Sequence, residues 1–488
     1  MEPSQIGQWF ATESGFSTVL TAGRDIHLLL LARLFRMFAY GSTTLIFAIY
    51  FSALGYSDAK IGLFMTLTLI GDMLISLALT SYADSIGRRR TLLLGACLMI
   101  VSGIVFALTG NYYLLLLAAI IGVISPSGKE VGPFKAVEES SIAHLTNIRS
   151  RTDVLAWYTG IGTLGTALGA FVCGWATQAL SKLPGWTDAS VYRAVFWAYS
   201  LIGCVKAGLT LLLSPRCDSQ PLPQEDLAPN EEREAFLNNQ EDRHDVQHKA
   251  TPKSKTGSLG QISRNSWSIL LKLCCLFSVD SLASGLVAFS FIAYFMERKF
   301  HINQGKLGTV MAVAQFASAV SNICSASVAR RIGLIRAMVF THLPSSIFLI
   351  LIPMPASLIL SVLFIFGRAS LSSMDQAPRS AFVSAVVLPT ERTAVMGVVN
   401  TVKTLSQSGG PIITGILAGK DHFWVAFVAA GAMKIAYDLS LLALFVHTKT
   451  EEHRDAEPEP ETVMDSFELA SEDDDEELDD RKGALGRG

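Results

Sequence analysis

Twelve apolar runs, each long enough to cross a bilayer, restrict this chain more than any other feature. They fall at about 26–53, 58–80, 91–110, 112–137, 152–178 and 191–213, and again at about 266–296, 305–328, 335–354, 356–385, 393–418 and 422–447. A helix needs about 20 apolar residues to span the hydrocarbon core. Inside lipid every backbone N–H and C=O must be satisfied internally, so such runs are helical. A polar stretch at 215–264, rich in Pro, Asn, Gln and charge, separates the two sets of six. The chain is therefore expected to be an all-α membrane protein with twelve transmembrane helices. Half its residues are apolar and 17% are charged, against about 25% charged in soluble proteins. A soluble multidomain enzyme is excluded.

The expected division is a cytoplasmic N-terminal segment at 1–25, a six-helix half at 26–214, a cytoplasmic linker at 215–264, a second six-helix half at 265–447 and a disordered acidic tail at 448–488. Residues 451–488 carry 16 Asp/Glu and 4 Lys/Arg, so the tail is −12 and the remainder of the chain +9. Ser471 heads an acidic run that suits acid-directed kinases, though a solvated tail explains the run as well. No cleavable signal is expected, because the first apolar run is too long. Basic residues set the orientation. Arg88, Arg89 and Arg90 follow the second span, Arg330, Arg331 and Arg336 surround the end of the eighth, and the linker holds seven Lys/Arg. Both termini are thus expected to be cytoplasmic. Arg298, Lys299 and Lys306, on the opposite side, run against this pattern. The seven cysteines show no metal-ligand spacing and read as small core residues.

The two sets of six repeat. Span 4 reads Gly122, Ser125, Ser127, Glu130, Pro133, Ala136, and span 10 reads Gly367, Ser370, Ser372, Asp375, Pro378, Ala381, with no gap. Arg151-Thr152-x-Val154 opens span 5 and Arg392-Thr393-x-Val395 opens span 11. Span 6 carries Phe196-Trp197 and Gly203-x-x-Lys206, and span 12 carries Phe423-Trp424 and Gly431-x-x-Lys434. Span 1 aligns Arg33 and Phe38 with Lys272 and Phe277 of span 7. An even number of spans makes the repeats parallel, with a site between the halves near the midplane.

After span 2 the chain reads Ala83-Asp84-Ser85-Ile86-Gly87-Arg88-Arg89-Arg90. This resembles the signature loop of the major facilitator superfamily, with Thr80 in place of its first Gly and Ser85 in place of a basic residue. The second copy, Val328-Ala-Arg-Arg-Ile-Gly333, keeps the Gly and has Arg330 in place of the Asp. The resemblance covers about 26–447 and implies two pseudo-symmetric halves and transport by alternating access. At the level of residues, Asp84 can cap a helix N-terminus of the other half, and Gly87 permits a tight turn. Arg88 can reach Glu130 or Glu138 at the end of span 4. With Asp375, these residues form the expected cytoplasmic gate. The alternative is that the arginines only anchor orientation.

Ionisable residues inside spans are costly and point to function. Arg33, Arg36, Asp72, Asp280 and Arg368 are the expected substrate and proton cavity, since the resemblance implies that spans 1, 4, 7 and 10 line it. Lys206 and Lys434 fall on spans 6 and 12, which that resemblance places at the periphery. Asp72 is expected either to pair with a cation of span 1 or 11 or to bind a proton, and Asp280 to be the titrating carboxylate. The arginines suit an anionic or polar substrate. Five glycines in span 5 fit an antiporter or plain packing, and no proline accompanies them. Tyr40, Tyr50 and Phe38 can line a pocket or simply pack.

The leading expectation is proton-coupled efflux of small metabolites or toxic compounds by a monomer in the plasma membrane. Uptake of a small anionic nutrient and a transporter-fold sensor are the rivals. No catalytic residues, metal or cofactor are expected: metal sets, nucleophile elbows and phosphate loops are absent from the sequence. The expected partners are a small-molecule substrate, protons and the lipid bilayer, with no nucleic acid.

Overall fold

The computed structural model describes residues 16–122, 124, 133–218, 264–375, 378–379, 382, 386 and 392–445. Glu130, most of the linker and the acidic tail lie outside the described residues. A short helix, Phe16–Leu20, precedes span 1 and ties to span 5 through Thr18, whose hydroxyl donates to Asp153 at 3.0 Å.

Nine spans are continuous: 1 (Arg24–Ala53), 2 (Asp58–Ile86), 3 (Arg88–Leu108), 5 (Ile148–Leu180), 6 (Asp188–Leu211), 8 (Gln304–Ile332), 9 (Leu334–Leu351), 11 (Arg392–Gly419) and 12 (Phe423–Phe445). Span 4 divides into Tyr112–Ile121 and Pro133–Leu145. Gly122 ends the first piece as its C-cap, and Pro133 is the first described residue of the second. Span 7 divides into Arg264–Leu286 and Phe289–Phe300, and the hydroxyl of Thr414 donates to the Leu286 carbonyl at 2.6 Å beside the break. The described part of span 10 begins with Leu358–Ser372. Among the described residues seven stretches are apolar enough to cross a membrane on composition alone. Spans 8 and 11 fall outside that set and carry Gln315, Asn322, Asn400, Lys403 and Gln407.

The helices run up and down, so the ends of spans 2, 6, 8 and 12 gather on the face that also holds the linker. The opposite, or far, face holds the turns after spans 1, 5 and 11. Gly87 and Gly333 make the same turn on the linker face, at φ +95° and +87°. Both stand 246 residues apart, as do Gly62 and Gly308, which fixes the register of the two halves.

At the far face the halves meet at two equivalent crossings. Span 2 meets span 11, where a Cβ on Gly62 would lie 2.4 Å from the Pro411 carbonyl and one on Gly415 2.4 Å from the Asp58 carbonyl. Span 8 meets span 5, where a Cβ on Gly308 would lie 2.6 Å from the Ala170 carbonyl and one on Gly174 2.5 Å from the Gln304 carbonyl. Only glycine allows such backbone approach. The hydroxyl of Ser290 in span 7 also donates to the Thr44 carbonyl of span 1 at 2.9 Å.

Two of the three basic residues that ran against the orientation pattern, Arg298 and Lys299, have structural partners. Arg298 bridges the halves, at 2.7 Å from Asp58 and 2.9 Å from Asp421, and Tyr294 donates to Asp58 at 2.7 Å. Lys299 donates to the carbonyls of Pro353 and Pro355 at 2.6 and 2.7 Å. The far face is therefore the closed one in this structure.

Candidate functional site

Each half holds one buried ion-pair triad. In the N-terminal half the carboxylate is Glu138 of span 4, 1% exposed. Arg36 of span 1 reaches it at 2.6 Å and Lys206 of span 6 at 3.6 Å, while Tyr158 of span 5 donates to it at 2.7 Å. Arg33, one turn before Arg36, lies over the Tyr158 ring at 4.4 Å. Gly162 makes room for it, since a Cβ there would stand 2.7 Å from its Nε. The span 5 glycines thus have separate jobs. Gly162 seats Arg33, Gly165 and Gly169 let span 1 approach, and Gly174 forms the far-face crossing.

In the C-terminal half the carboxylate is Asp280 of span 7. Lys434 of span 12 reaches one oxygen at 2.6 Å and Arg379 of span 10 the other at 2.7 Å. Arg379 also pairs with Asp375, one turn before it, and lies over the rings of Phe277 and Tyr437 at 5.4 and 5.3 Å. Each triad therefore joins the first, fourth and sixth helix of its half. The lysines are true counterparts, as the repeat in spans 6 and 12 indicated.

Helices 1 and 7 are aligned differently from the sequence reading. A Cβ on Gly41 would meet the Thr166 carbonyl, and one on Gly285 the Gln407 carbonyl. This contact pairs Gly41 with Gly285, five residues away from the register that matched Arg33 with Lys272. Arg36 is then the counterpart of Asp280. The repeat kept the position and reversed its charge, and the partner on the fourth helix reversed with it. In both triads the arginine is the most accessible member, at 13% for Arg36 and 14% for Arg379.

The other expected residues are placed as follows. Asp72 is buried, and among the described residues it has no ion pair with span 1 or 11; its hydrogen-bond partner is Ser76, one turn on. Arg368 is half-buried in span 10, and no described carboxylate pairs with it. Gly87 makes the expected turn. Asp84 lies in span 2, and its side chain is outside the described residues, as is Glu130. Glu138 is not available to Arg88, because Arg36 and Lys206 hold it deeper in the bundle. The N-terminus of span 3 is met by Asp218 of its own half, which accepts from the Arg89 N–H at 2.9 Å. The residue before it, Cys217, is not in a polar loop but packs against the core, and burial pushes its thiol up to about 11. Tyr50 is a packing residue, fully buried among Phe51, Phe106 and Phe196.

Arg379 and His342 were not among the expected residues, and Lys206 and Lys434, expected at the periphery, are buried in ion pairs. The signal for Arg379 was present, as an arginine inside an apolar run. Asp72→Asn removes no charge partner, so it is expected to leave the melting temperature of the detergent-solubilised protein unchanged or raise it. A large fall would show that Asp72 holds a cation after all.

The comparisons with known proteins agree with this architecture. The family model described as Major Facilitator Superfamily matches residues 29–367 and 273–471. The chain is 39% identical over 430 residues to an uncharacterized membrane protein of Saccharomyces cerevisiae, YJR124C, covering 87% of this chain and 95% of that one. Among solved structures it resembles the inward open xylose transporter XylE from E. coli, with a TM-score of 0.64 at 15% identity over 88% of this chain and 99% of that one. It also resembles the nucleoside transporter NupG, with a TM-score of 0.62 at 13% identity over 87% and 99%. The chain belongs to the Major Facilitator Superfamily and is a multi-pass membrane transporter, not an enzyme.

Proposed function

We propose that this protein is a proton-coupled secondary transporter of a small organic molecule, working by alternating access between the two triads. The observation that carries the reading is the pair of buried carboxylates, Glu138 and Asp280, each held by two cations from other helices. Buried ion pairs rarely add net stability over apolar packing, so their presence in both halves points to work done during the cycle. Arg36 and Arg379, the accessible arms, are the substrate-facing residues. Their guanidinium groups suit a carboxylate or other polar oxygen on the substrate. Arg33, Arg368 and Asp72 complete the cavity set. Asp84, Gly87, Arg88, Glu130 and Asp375 form the linker-face gate, which engages when the far-face crossings part.

Export of metabolites or toxic compounds from a plasma membrane, with both termini, the 215–264 linker and the 448–488 tail cytoplasmic, is the direction we favour. The similarity to carriers of a pentose and of nucleosides supports a polar organic cargo. The protein acts as a monomer, since each chain holds both halves of the site.

Uptake and efflux of a mixed metabolite and drug panel, in cells expressing wild type or Asp280→Asn with and without a proton gradient, tests this. Gradient-driven transport per folded carrier, normalised to the monodisperse size-exclusion peak of each protein, is expected to fall at least about tenfold in the variant, because Lys434 and Arg379 lose their shared partner. Transport that survives both the substitution and loss of the gradient would rule the reading out.

A further inference from the structure

Beside the C-terminal triad stands a group that the triad does not need. His342 of span 9 is buried, with its Nδ1 2.9 and 3.0 Å from the two oxygens of Asp438 on span 12. Its Nε2 lies 3.8 Å from Asp280. One imidazole is therefore bonded to one buried carboxylate and stands within ion-pair distance of a second. The ring of Tyr437 meets it edge-on at 6.0 Å.

The other half shows that the scaffold does not require this pair. Gly333 and Gly87 fix the register of spans 9 and 3, and Lys434 and Lys206 that of spans 12 and 6. The counterparts of His342 and Asp438 are then Ala96 and Thr210. Ala96 is fully buried, and the Thr210 hydroxyl donates to the carbonyl of Lys206 within its own helix. An apolar side chain and a self-satisfied hydroxyl fill the same sites, so packing does not explain a histidine and an aspartate.

We propose that His342, held by Asp438, is the site that binds the transported proton. The proposal rests on the proton-coupled reading above. The charged and titratable groups facing the imidazole are Asp438, Lys434 and Tyr437 from span 12 and Asp280 from span 7. Arg379 and Asp375 of span 10 join through Asp280. Span 10 also brings Arg368, whose carbonyl accepts from Ser345, one turn past His342. Among the described residues, span 8 places no ionisable group at bonding distance from it.

Histidine is the side chain suited to gaining and losing a proton near neutral pH, which arginine and lysine are not. A proton arriving from water makes both ring nitrogens donors. Nδ1–H then donates to Asp438 and Nε2–H faces Asp280, which already holds two cations. Asp280 now shares its charge three ways, and its grip on Arg379 loosens. Arg379 is the most accessible of these side chains, so it is the arm that moves toward the cavity. Loss of the proton returns Asp280 to Lys434 and Arg379. No covalent bond other than N–H forms or breaks.

The test needs no substrate. The full chain, with its cysteines replaced, carries spin labels at positions 90 and 332 on the linker face and, separately, at 183 and 420 on the far face. Distances are measured in lipid nanodiscs at about pH 5 and pH 8. Wild type is expected to change the ratio of its two distance populations roughly tenfold between these conditions. His342→Gln and, independently, Asp438→Asn are expected to abolish that change while still showing a wild-type distance population and a single size-exclusion peak. If the response survives both substitutions, the proposal is overturned and the proton-coupled reading stands. If wild type ignores pH, both fall together.

Discussion

Glu138→Gln is expected to cost the protein its fold. The substitution preserves shape and removes only the negative charge, yet two cations depend on it. Arg36 and Lys206 both point at this one carboxylate, and Lys206 is 2% exposed. Breaking a buried pair by removing one partner typically costs about 3–5 kcal/mol, and here the sealed Lys206 loses its carboxylate while Arg36 loses its 2.6 Å pair. Tyr158 also loses its charged acceptor. Fluorescence-detected size exclusion should show aggregated or missing protein, and any surviving material should melt well below wild type. Lys206→Met on top of Glu138→Gln should recover part of the loss, since one stranded cation is gone. A single variant that melts like wild type would mean that water reaches this cluster and the triad is not sealed.

The second large effect concerns the far-face crossings. Gly415→Ala combined with Gly174→Ala is expected to drive the protein out of the conformation described here. The added Cβ atoms would stand 2.4 and 2.5 Å from the carbonyls of Asp58 and Gln304, with Gly62 and Gly308 backbone 2.9 and 2.8 Å away. Backbone in a packed helix cannot step aside as a flexible side chain can. Overpacking costs about 1–3 kcal/mol per site, and the cost falls only on the state in which the crossings are closed. One site alone would shift a two-state equilibrium about 5–150-fold, and the two together by about the product of their separate shifts. Labels at 183 and 420 should move apart and labels at 90 and 332 together. Unchanged distances in both pairs would show that the crossings have slack.

The twelve spans were legible because lipid imposes one length and one backbone solution on each crossing. The end of the first piece of span 4 was written at Gly122, though a hydropathy run passes over it. The break in span 7 at Val287 and Ala288 has no such mark, and depends on Thr414 of another helix taking up the freed carbonyl. For the site, the sequence displayed which residues were charged and not which met. Arg36 and Glu138 are 102 positions apart, and Asp280 and Lys434 are 154. The wrong register of span 7 hid the correspondence of Arg36 and Asp280, because alignment rewards identical residues and this pair has opposite charge. Lys206 and Lys434 matched in sequence and were set aside only because their helices were thought peripheral.

The paired glycine crossings have a further meaning. Span 2 meets the partner of span 5, and span 5 meets the partner of span 2. That reciprocal pattern is the signature of an isologous interface, the kind by which two identical subunits associate about a two-fold axis. The chain is built as a homodimer whose subunits were joined end to end. The far-face seam still obeys the dimer's symmetry, glycine for glycine. Departures from it mark where one copy took on a task that the other did not: positions 36 and 280, where the charge reversed, and 342 and 438, where an imidazole and a carboxylate stand against an alanine and a threonine.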